Sequence, residues 1–513
     1  MKLKRLYLGD YRVLRDLEIR FCPPNERSLT FTRNYSLDFL VGKNGTGKST
    51  VLKILWDLMK QLEGNPVVDY PFILEYELGK GNQKRSIKIA TLQEDDETGD
   101  VTFTKTPLAL ENGEPTAIGL DIIPDLIVSF TTGDEIEWNL LNEPAKDNSH
   151  LGSLTHLAKE EKLEILKERA IRELPGHQAN LNNTEEDTEK DSRCLFISNK
   201  QINLLTLCGL LVDLANSKSE LAQVLEELHI KSLTGFSLKF RLNQGITKID
   251  HREQVIKLGK FASHILHQGS DYRLVFDLTS DRSSVAQEII REFVSGLELF
   301  KKLAKLADVD ENGQSVLREV SIFLERTDSQ YPEAESEIPP LHLWEWLSDG
   351  ERSFLGRMCL FTLLGSTEAL ILLDEPEVHF NDFWKRQIVN LLDETLKDRH
   401  SHVLMTTHSS ITLTDVPKED VIVLKRFGNY TKDSLPAPIQ TFAANPSDIM
   451  VHVFDAPYPE GKYSVDCIER ELKATANQNL AEKREALERL LSTVAQGYWS
   501  YRIRRELSAI EVE

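Results

Sequence analysis

The stretch 35–50, YSLDFLVGKNGTGKST, constrains the fold more than any other part of the chain. Tyr35 to Val41 is an apolar run of strand length. It feeds Gly42-Lys43-Asn44-Gly45-Thr46-Gly47-Lys48-Ser49, which matches G-x-x-x-x-G-K-[ST]. Val51, Leu52, Ile54, Leu55, Leu58 and Met59 then recur at helical spacing. Strand, glycine-rich turn and helix, in that order, form a phosphate site. Gly42, Gly45 and Gly47 let the backbone curl so that successive N–H groups face phosphate oxygens, and the helix N-terminus favours an anion. Lys48 is expected to reach the β- and γ-phosphates and Ser49 to ligate Mg²⁺, with Asn44, Thr46 and Thr50 in the same cradle.

The chain has 513 residues, room for about two to four domain-sized units. Its net charge of −21 argues against broad, non-specific attraction to nucleic acid or anionic membrane. Any DNA contact would need a local basic patch. Cys22, Cys194, Cys208, Cys359 and Cys467 form no CxxC and no metal-ligand spacing, and read as reduced thiols. The opening MKLKRLYLGDY lacks an apolar signal core, and no apolar run reaches about 18 residues. A cytoplasmic protein with no membrane partner is the expectation.

Along the chain, residues 1–34 read as two short strands around Tyr11, an aromatic placed to stack on adenine or simply to pack at a strand end. PFILEYEL, SIKIATL and VTFTKT predict a small antiparallel sheet beside the nucleotide-binding one. DIIPDLIVSF predicts a buried strand ending at Thr131-Thr132. Residues 150–175 read as a charged helix and 176–192 as an acidic surface loop. RCLFISN and QINLLTLCGLLVDL predict a strand and a helix. Gln201 at their junction, or Gln93 after another strand, could sense Mg²⁺ and γ-phosphate, and the sequence does not choose between them. Residues 216–340 are expected to be a mostly helical lobe, with helices over SELAQVLEEL, REQVIKLGKFASHIL and VAQEIIREFVSGLELFKKLAKLA (285–307) and strands over LTGFSLKFRL (233–242) and DYRLVFDL (271–278). VIVLKRF (421–427) reads as the last core strand, 429–440 as a polar loop, and 429–513 as a helical, partner-binding extension. Arg502, Arg504 and Arg505 there are the densest basic cluster, either a DNA contact or a solvated helix face among Glu506, Glu511 and Glu513.

The second half of the site is spelled by Leu347-Ser348-Asp349-Gly350-Glu351, by EALILLDEPEVHF, and by SHVLMTTHSS. Ser348 and Gly350 open a helix and can bind phosphate there, Ser348 serving also as its N-cap. Asp374 ends a buried strand and can hold Mg²⁺ through water. Glu375 can act on the attacking water as general base. His408 ends the next buried strand and can bond the γ-phosphate or the water.

In this order, Gly42–Ser49, Leu347–Glu351, Leu370–Pro376 and His408 resemble the Walker A, signature, Walker B and switch-histidine motifs of ABC-type ATPases. DEPEVHF and the LSDGE signature resemble the SMC/RecF branch rather than transporters. The resemblance spans roughly 1–60, 115–135, 195–215 and 340–428, and not the inserts or the tail. Asp349 stands where the signature usually has Gly, and Glu351 where transporters have Gln. The resemblance implies an α/β ABC-type P-loop NTPase: 1–215 the N-terminal part of the core with an added antiparallel β subdomain, 216–340 the helical insert between Walker A and signature, 341–428 the C-terminal core, and 429–513 the extension. It also implies ATP and Mg²⁺ as cofactors, Glu375, His408 and Lys48 as the catalytic set, Ser49 and Asp374 as metal ligands, and a homodimer or higher oligomer in which Ser348 and Gly350 of one copy complete the phosphate site of the other. Asn381 and Asp382 fall where that family's dimer-contact loop lies, or form an exposed turn; His379 reads as packing.

A soluble ATPase with inserts and a helical tail further resembles the restriction-associated and Septu-type (PtuA-like) ATPases of bacterial anti-phage defence, by analogy of architecture. The sequence holds no H-N-H or HExxH cluster, and no Toprim pattern follows His408, so cleavage would belong to a separate effector nuclease. The alternatives are a RecF-like repair ATPase with salt-sensitive DNA binding, and a scaffold that uses ATP to hold a partner with little turnover.

Overall fold

A computed structural model describes residues 1–21, 33–64, 66–79, 81–94, 101–132, 192–216, 219–242, 249–309, 314–327, 341–364, 367–396, 399–476 and 478–512. The helix and acidic loop expected over 150–192 fall almost wholly outside this set, as does Cys22. Among the described residues, Cys194, Cys208, Cys359 and Cys467 are free thiols.

The N-terminal part contributes strands β1 (Lys2–Leu8), β2 (Leu17–Arg20) and β3 (Ser36–Val41), then helix α1 (Lys48–Leu62). β4 (Phe72–Leu78), β5 (Arg85–Glu94), β6 (Val101–Glu111) and β7 (Glu114–Thr116) follow, then β8 (Leu126–Thr131), β9 (Cys194–Ile197) and α2 (Ile202–Ala215). β2-β1-β4-β5-β6-β7 form the antiparallel sheet that the alternation of FILEYEL and its neighbours predicts. Tyr11 packs edge-on against Tyr70, ring centroids 4.8 Å apart, the packing reading of that residue.

The middle of the chain corrects the expectation of a mostly helical lobe at 216–340. α3 (Ala222–Glu227), α4 (Ile249–Gly259), α5 (Arg282–Glu292) and α6 (Gly296–Ala307) alternate with β10 (Ile230–Arg241), β11 (His264–Gln268), β12 (Asp271–Asp277) and β13 (Leu317–Arg326). With β14 (Leu341–Leu343) these strands make a five-stranded antiparallel sheet, order β11-β12-β10-β13-β14. The apparently continuous helical pattern over 285–307 is two helices, broken at Val294, whose φ of 69° no α-helix accommodates.

The C-terminal core holds α7 (Asp349–Leu363), β15 (Ala369–Asp374), α8 (Asp382–Leu396), β16 (His402–Thr406), β17 (Val421–Phe427) and β18 (Tyr430–Pro436). β18 corrects the polar loop expected at 429–440: it pairs antiparallel to β17 as an edge strand, where polar side chains are tolerated. The central sheet has seven strands, order β18-β17-β3-β16-β15-β8-β9, parallel from β17 to β9. β3, β8, β15 and β16 are buried along their whole length, as parallel strands covered on both faces must be. Leu40, Ile127, Leu370, Leu372 and Leu404 face α1 and the antiparallel sheet. Leu37, Phe39, Val128, Phe130, Ile371 and Val403 face α2, α7, α8 and the lobe. Truncating one of these, Phe39→Ala for example, removes about 3–5 kcal/mol by the usual cavity cost. The result is an α/β fold in which a parallel sheet is covered on both faces and a glycine-rich loop joins β3 to α1, as a P-loop fold requires. Finally α9 (Pro446–His452), with Asn445 as N-cap, precedes α10 (Lys462–Thr475), α11 (Leu480–Thr493) and α12 (Tyr498–Val512). These last three share a small core of their own around Ile468, Leu487, Trp499 and Ile503.

Candidate functional site

The sheet register assembles the site. Asp374 ends β15, and the pairing sets it beside Thr131 at the end of β8 and Thr406 at the end of β16. Three parallel strands thus end in one row of oxygen-bearing side chains. Thr406 Oγ1 donates to Asp374 Oδ1 at 2.7 Å, Ser49 Oγ donates to the same oxygen at 2.9 Å, and Thr131 Oγ1 donates to Oδ2 at 3.3 Å. Ser49, on the first turn of α1, is therefore brought against a residue 325 positions away.

The loop before α1 is built for an anion. Gly47 has φ 86°, and a Cβ there would lie 2.7 Å from Leu14 Cδ2 in the turn between β1 and β2. The loop is thus both left-handed and tightly packed at that point. Gly47 is the N-cap of α1 and offers no side chain, and the first turn carries no acidic residue, so the free N–H groups of the helix start keep their positive end. Lys48 is buried, its Nζ donating to Gly42 O at 3.1 Å and Lys43 O at 3.4 Å. Thr46 Oγ1 donates to Lys43 O at 2.9 Å and holds the curl. Asn44 and Thr50 lie in the same loop and first turn. Burial lowers the Lys48 ammonium from its ordinary value, while the carboxylates of Glu375 and Asp374 oppose that.

Glu375 takes a left-handed backbone, φ 49°, and its N–H donates to Thr406 Oγ1 at 3.0 Å. A strained non-glycine residue next to a metal-type carboxylate is a common mark of a functional turn. His408 Nε2 lies 3.1 Å from Glu375 Oε1. The hydrogen bond from His408, then its charge and that of Lys48, hold the Glu375 carboxyl below its usual range. His408 thus meets the carboxylate directly. Its ring also lies over Phe454, centroids 6.4 Å apart, and Lys43 pairs with Asp455 at 3.4 Å. The extension after residue 429 touches both edges of the site.

Ser348 and Gly350 lie at the start of α7 and keep separate company. Ser348 Oγ accepts from Glu351 N at 3.2 Å, and Glu351 Oε2 accepts from Ser348 N at 2.7 Å, a reciprocal capping box. A Cβ on Gly350 would meet His379 O at 2.9 Å, so this helix start rests on the turn after β15. Asn381 Oδ1 accepts from Trp384 N at 2.8 Å and caps α8, and Asp382 pairs with Lys385. Of the two candidate sensors, Gln201 accepts from Ser198 N at 3.2 Å in a capping box of its own, and Gln93 lies in β5 of the antiparallel sheet.

Sequence reasoning missed Thr406 and the full role of Thr131, whose signal was a hydroxyl at the end of each buried strand. It also missed Glu377. Thr407 Oγ1 donates to Glu377 Oε1, and His408 N donates to the same oxygen at 3.2 Å. Burial raises the Glu377 carboxyl. Nearby, burial lowers the Arg357 guanidinium to about 9 against the opposing charge of Glu377.

The donor set of Ser49 and Asp374, hard oxygens at the mouth of an uncapped helix, fits Mg²⁺ with a nucleotide phosphate. Among the described residues no cluster of three His, Cys, Asp or Glu could hold a metal without such a partner. No helix among them is long and apolar enough to cross a membrane.

Two family models match the chain. One, described as an AAA ATPase domain, takes in residues 1–208. The other, described as an AAA domain, putative AbiEii toxin, Type IV TA system, takes in residues 256–415. The first covers the loop at 42–49, and the second covers Ser348, Asp374, Glu375 and His408, so both halves of the site fall in stretches that match AAA-type ATPase domains. No curated protein matches in sequence. Among solved structures, the chain is similar to an SMC head bound to the C-winged helix domain of ScpA, at 11% identity over 85% of this chain and 98% of that one, TM-score 0.34. It is similar to the SMC head domain from Thermotoga maritima at 13% identity over 86% and 100%, TM-score 0.32. It is also similar to the Smc head with an extended coiled coil bound to the C-terminal domain of ScpA derived from Pyrococcus furiosus, at 14% over 85% and 96%, TM-score 0.33.

Proposed function

We propose that this chain is an ATP-hydrolysing subunit that dimerises around ATP and governs a separate effector nuclease in bacterial anti-phage defence. The observation that carries the hydrolytic part is the meeting of Ser49, on the first turn of α1, with Asp374, Glu375 and His408 at the ends of adjacent strands. The triphosphate lies along 42–50, its charge met by Lys48 and the N–H groups of α1. Mg²⁺, held by Ser49 and Asp374, would offset phosphate charge when bound. Glu375, ionised across the neutral range, takes a proton from the water whose oxygen attacks the γ-phosphorus, and ADP leaves. His408 orients Glu375 and steadies its charge. Ser348 and Gly350 of a second copy close the site from the far side, giving an isologous pair, and loss of the γ-phosphate loosens it.

The defence role is supported by the description of the second family model as a putative toxin of a Type IV TA system and by the analogy of motif and architecture drawn above. The cleaving activity is assigned to another chain on the motifs of this one. Glu375→Gln tests the hydrolytic part: turnover is expected to fall about 100-fold or more, with ATP retained and dimers accumulating by light scattering. Turnover at the wild-type rate would remove the general base. Co-purification of the tagged chain with its genetic neighbours, with and without ATP, tests the effector; capture of no nuclease in either state rejects it.

A further inference from the structure

Glu377 lies in the turn after β15, is 4% exposed, and belongs to none of the roles above. A carboxylate this buried costs stability unless something uses it. Its Oε1 grips the backbone around His408 from two sides, through Thr407 Oγ1 and through His408 N. The grip extends one residue further, because Ser409 N donates to Thr407 Oγ1 at 2.9 Å. Among the described residues, Glu377 Oε2 has no hydrogen-bond partner, nor have Nε and Nη2 of Arg357.

Arg357 reaches the same turn from α7. It is 3% exposed, its guanidinium lies 5.1 Å from the ring centre of Phe130 and 4.9 Å from that of Phe380, and Nη1 donates to Val378 O at 3.1 Å. It rides on α7, the helix that Ser348 begins. An apolar pair of the same size would pack here without desolvating two charges. What the two charged groups add is a fixed acceptor beneath His408 and, one residue on at Val378 O, a hydrogen bond to α7.

We infer that Glu377 is a positioning residue for His408: its carboxylate sets the 407–409 backbone so that His408 Nε2 meets Glu375, and Arg357, bonded to Val378 O beside it, ties that turn to the helix headed by Ser348. The inference rests on the reading of Glu375 and His408 as the hydrolytic pair, and it adds a residue that acts through His408 alone.

The test compares Glu377→Ala, Glu377→Gln and His408→Ala in the full chain. Glu377→Ala is expected to lower kcat by up to about 100-fold, the cost of a group displaced by an ångström, with ATP affinity within about 2-fold of wild type. Glu377→Gln keeps an oxygen acceptor and is expected to restore most of kcat. His408→Ala added to Glu377→Ala is expected to cost little more, since both remove one function. Multiplying losses, or Glu377→Ala at the wild-type rate, overturn the inference. A second readout needs no turnover: amide exchange over 404–410 is expected to quicken in Glu377→Ala and not in Glu377→Gln. Unchanged exchange also overturns it, whereas an inactive wild-type chain with the expected exchange pattern defeats the hydrolytic reading alone. If Glu377→Ala does not fold, Thr407→Val removes one of the two bonds and is expected to move kcat and exchange the same way, by less.

Discussion

Two helix starts in this molecule face opposite electrostatic situations. α1 begins after Gly47 with no side-chain cap and no acidic residue in its first turn. α7 begins with Ser348 locked to Glu351 in a capping box, and its first turn holds Asp349 and Glu351. The first leaves its N–H groups free and its positive end uncompensated, so it offers an anion everything a helix start can give. The second has already satisfied two of those donors and placed two carboxylates where a phosphate would come. One half of the candidate site is ready within the monomer. The other is held in its own embrace, and a phosphate reaching it must displace Glu351 from Ser348 N. If the proposed dimer forms, engagement there is expected to be the weaker, regulable step, and nucleotide binding at α1 the stronger one.

The sharpest way to break this contrast is to alter each helix start in turn. Ser348→Arg removes the cap and fills the approach. It is expected to abolish ATP-dependent dimers by analytical ultracentrifugation while leaving monomeric ATP affinity within about 2-fold and lowering stability by about 1 kcal/mol. A normal ATP dimer in this variant would mean that α7 takes no part in assembly. Gly47→Ala probes the other start. The new Cβ would sit 2.7 Å from Leu14 Cδ2 with φ at 86°, so the loop must open. An expected stability loss of about 1–3 kcal/mol would accompany at least a 10-fold weaker ATP affinity by calorimetry. Unchanged affinity would show that the curl of the loop is not what binds.

The difference in readiness also marks what the sequence made legible. The loop at 42–49 is local: its strand, turn and helix are contiguous, and each residue type has one physical use there. Asp374 and Glu375 were readable because an apolar run must end somewhere, and a carboxylate pair at its end has few other reasons to exist. The row of Thr131, Asp374 and Thr406 was not readable, because it depends on the register between strands far apart in sequence. Glu377 stayed hidden for the same reason: its partners, Thr407 and the His408 N–H, lie thirty and thirty-one residues away, after another strand. In the lobe, the strand patterns of residues 233–242 and 271–278 were visible, but the exposed edge strand β11 is merged by periodicity with the helix before it. β18 is polar because it is an edge, which is the case in which alternation carries least signal.

The smallest predicted effect bears most directly on the contrast. Asp349 is 84% exposed on its side chain and pairs with Arg352 one turn on. As a carboxylate at a helix start it stabilises the isolated α7 by roughly 0.3–1 kcal/mol, and by the same field it opposes an incoming phosphate. Asp349→Asn removes both contributions while keeping size. The ATP-bound dimer is therefore expected to tighten by about 2- to 5-fold at low salt, the fold-change that such an energy allows, while the melting temperature of the monomer falls slightly. Raising the salt to about 1 M, where the screening length shrinks to roughly 3 Å, should erase most of the gain. A weaker dimer in Asp349→Asn at low salt would mean that the carboxylate helps assembly rather than restrains it, and that the two helix starts do not differ in the way their first turns imply.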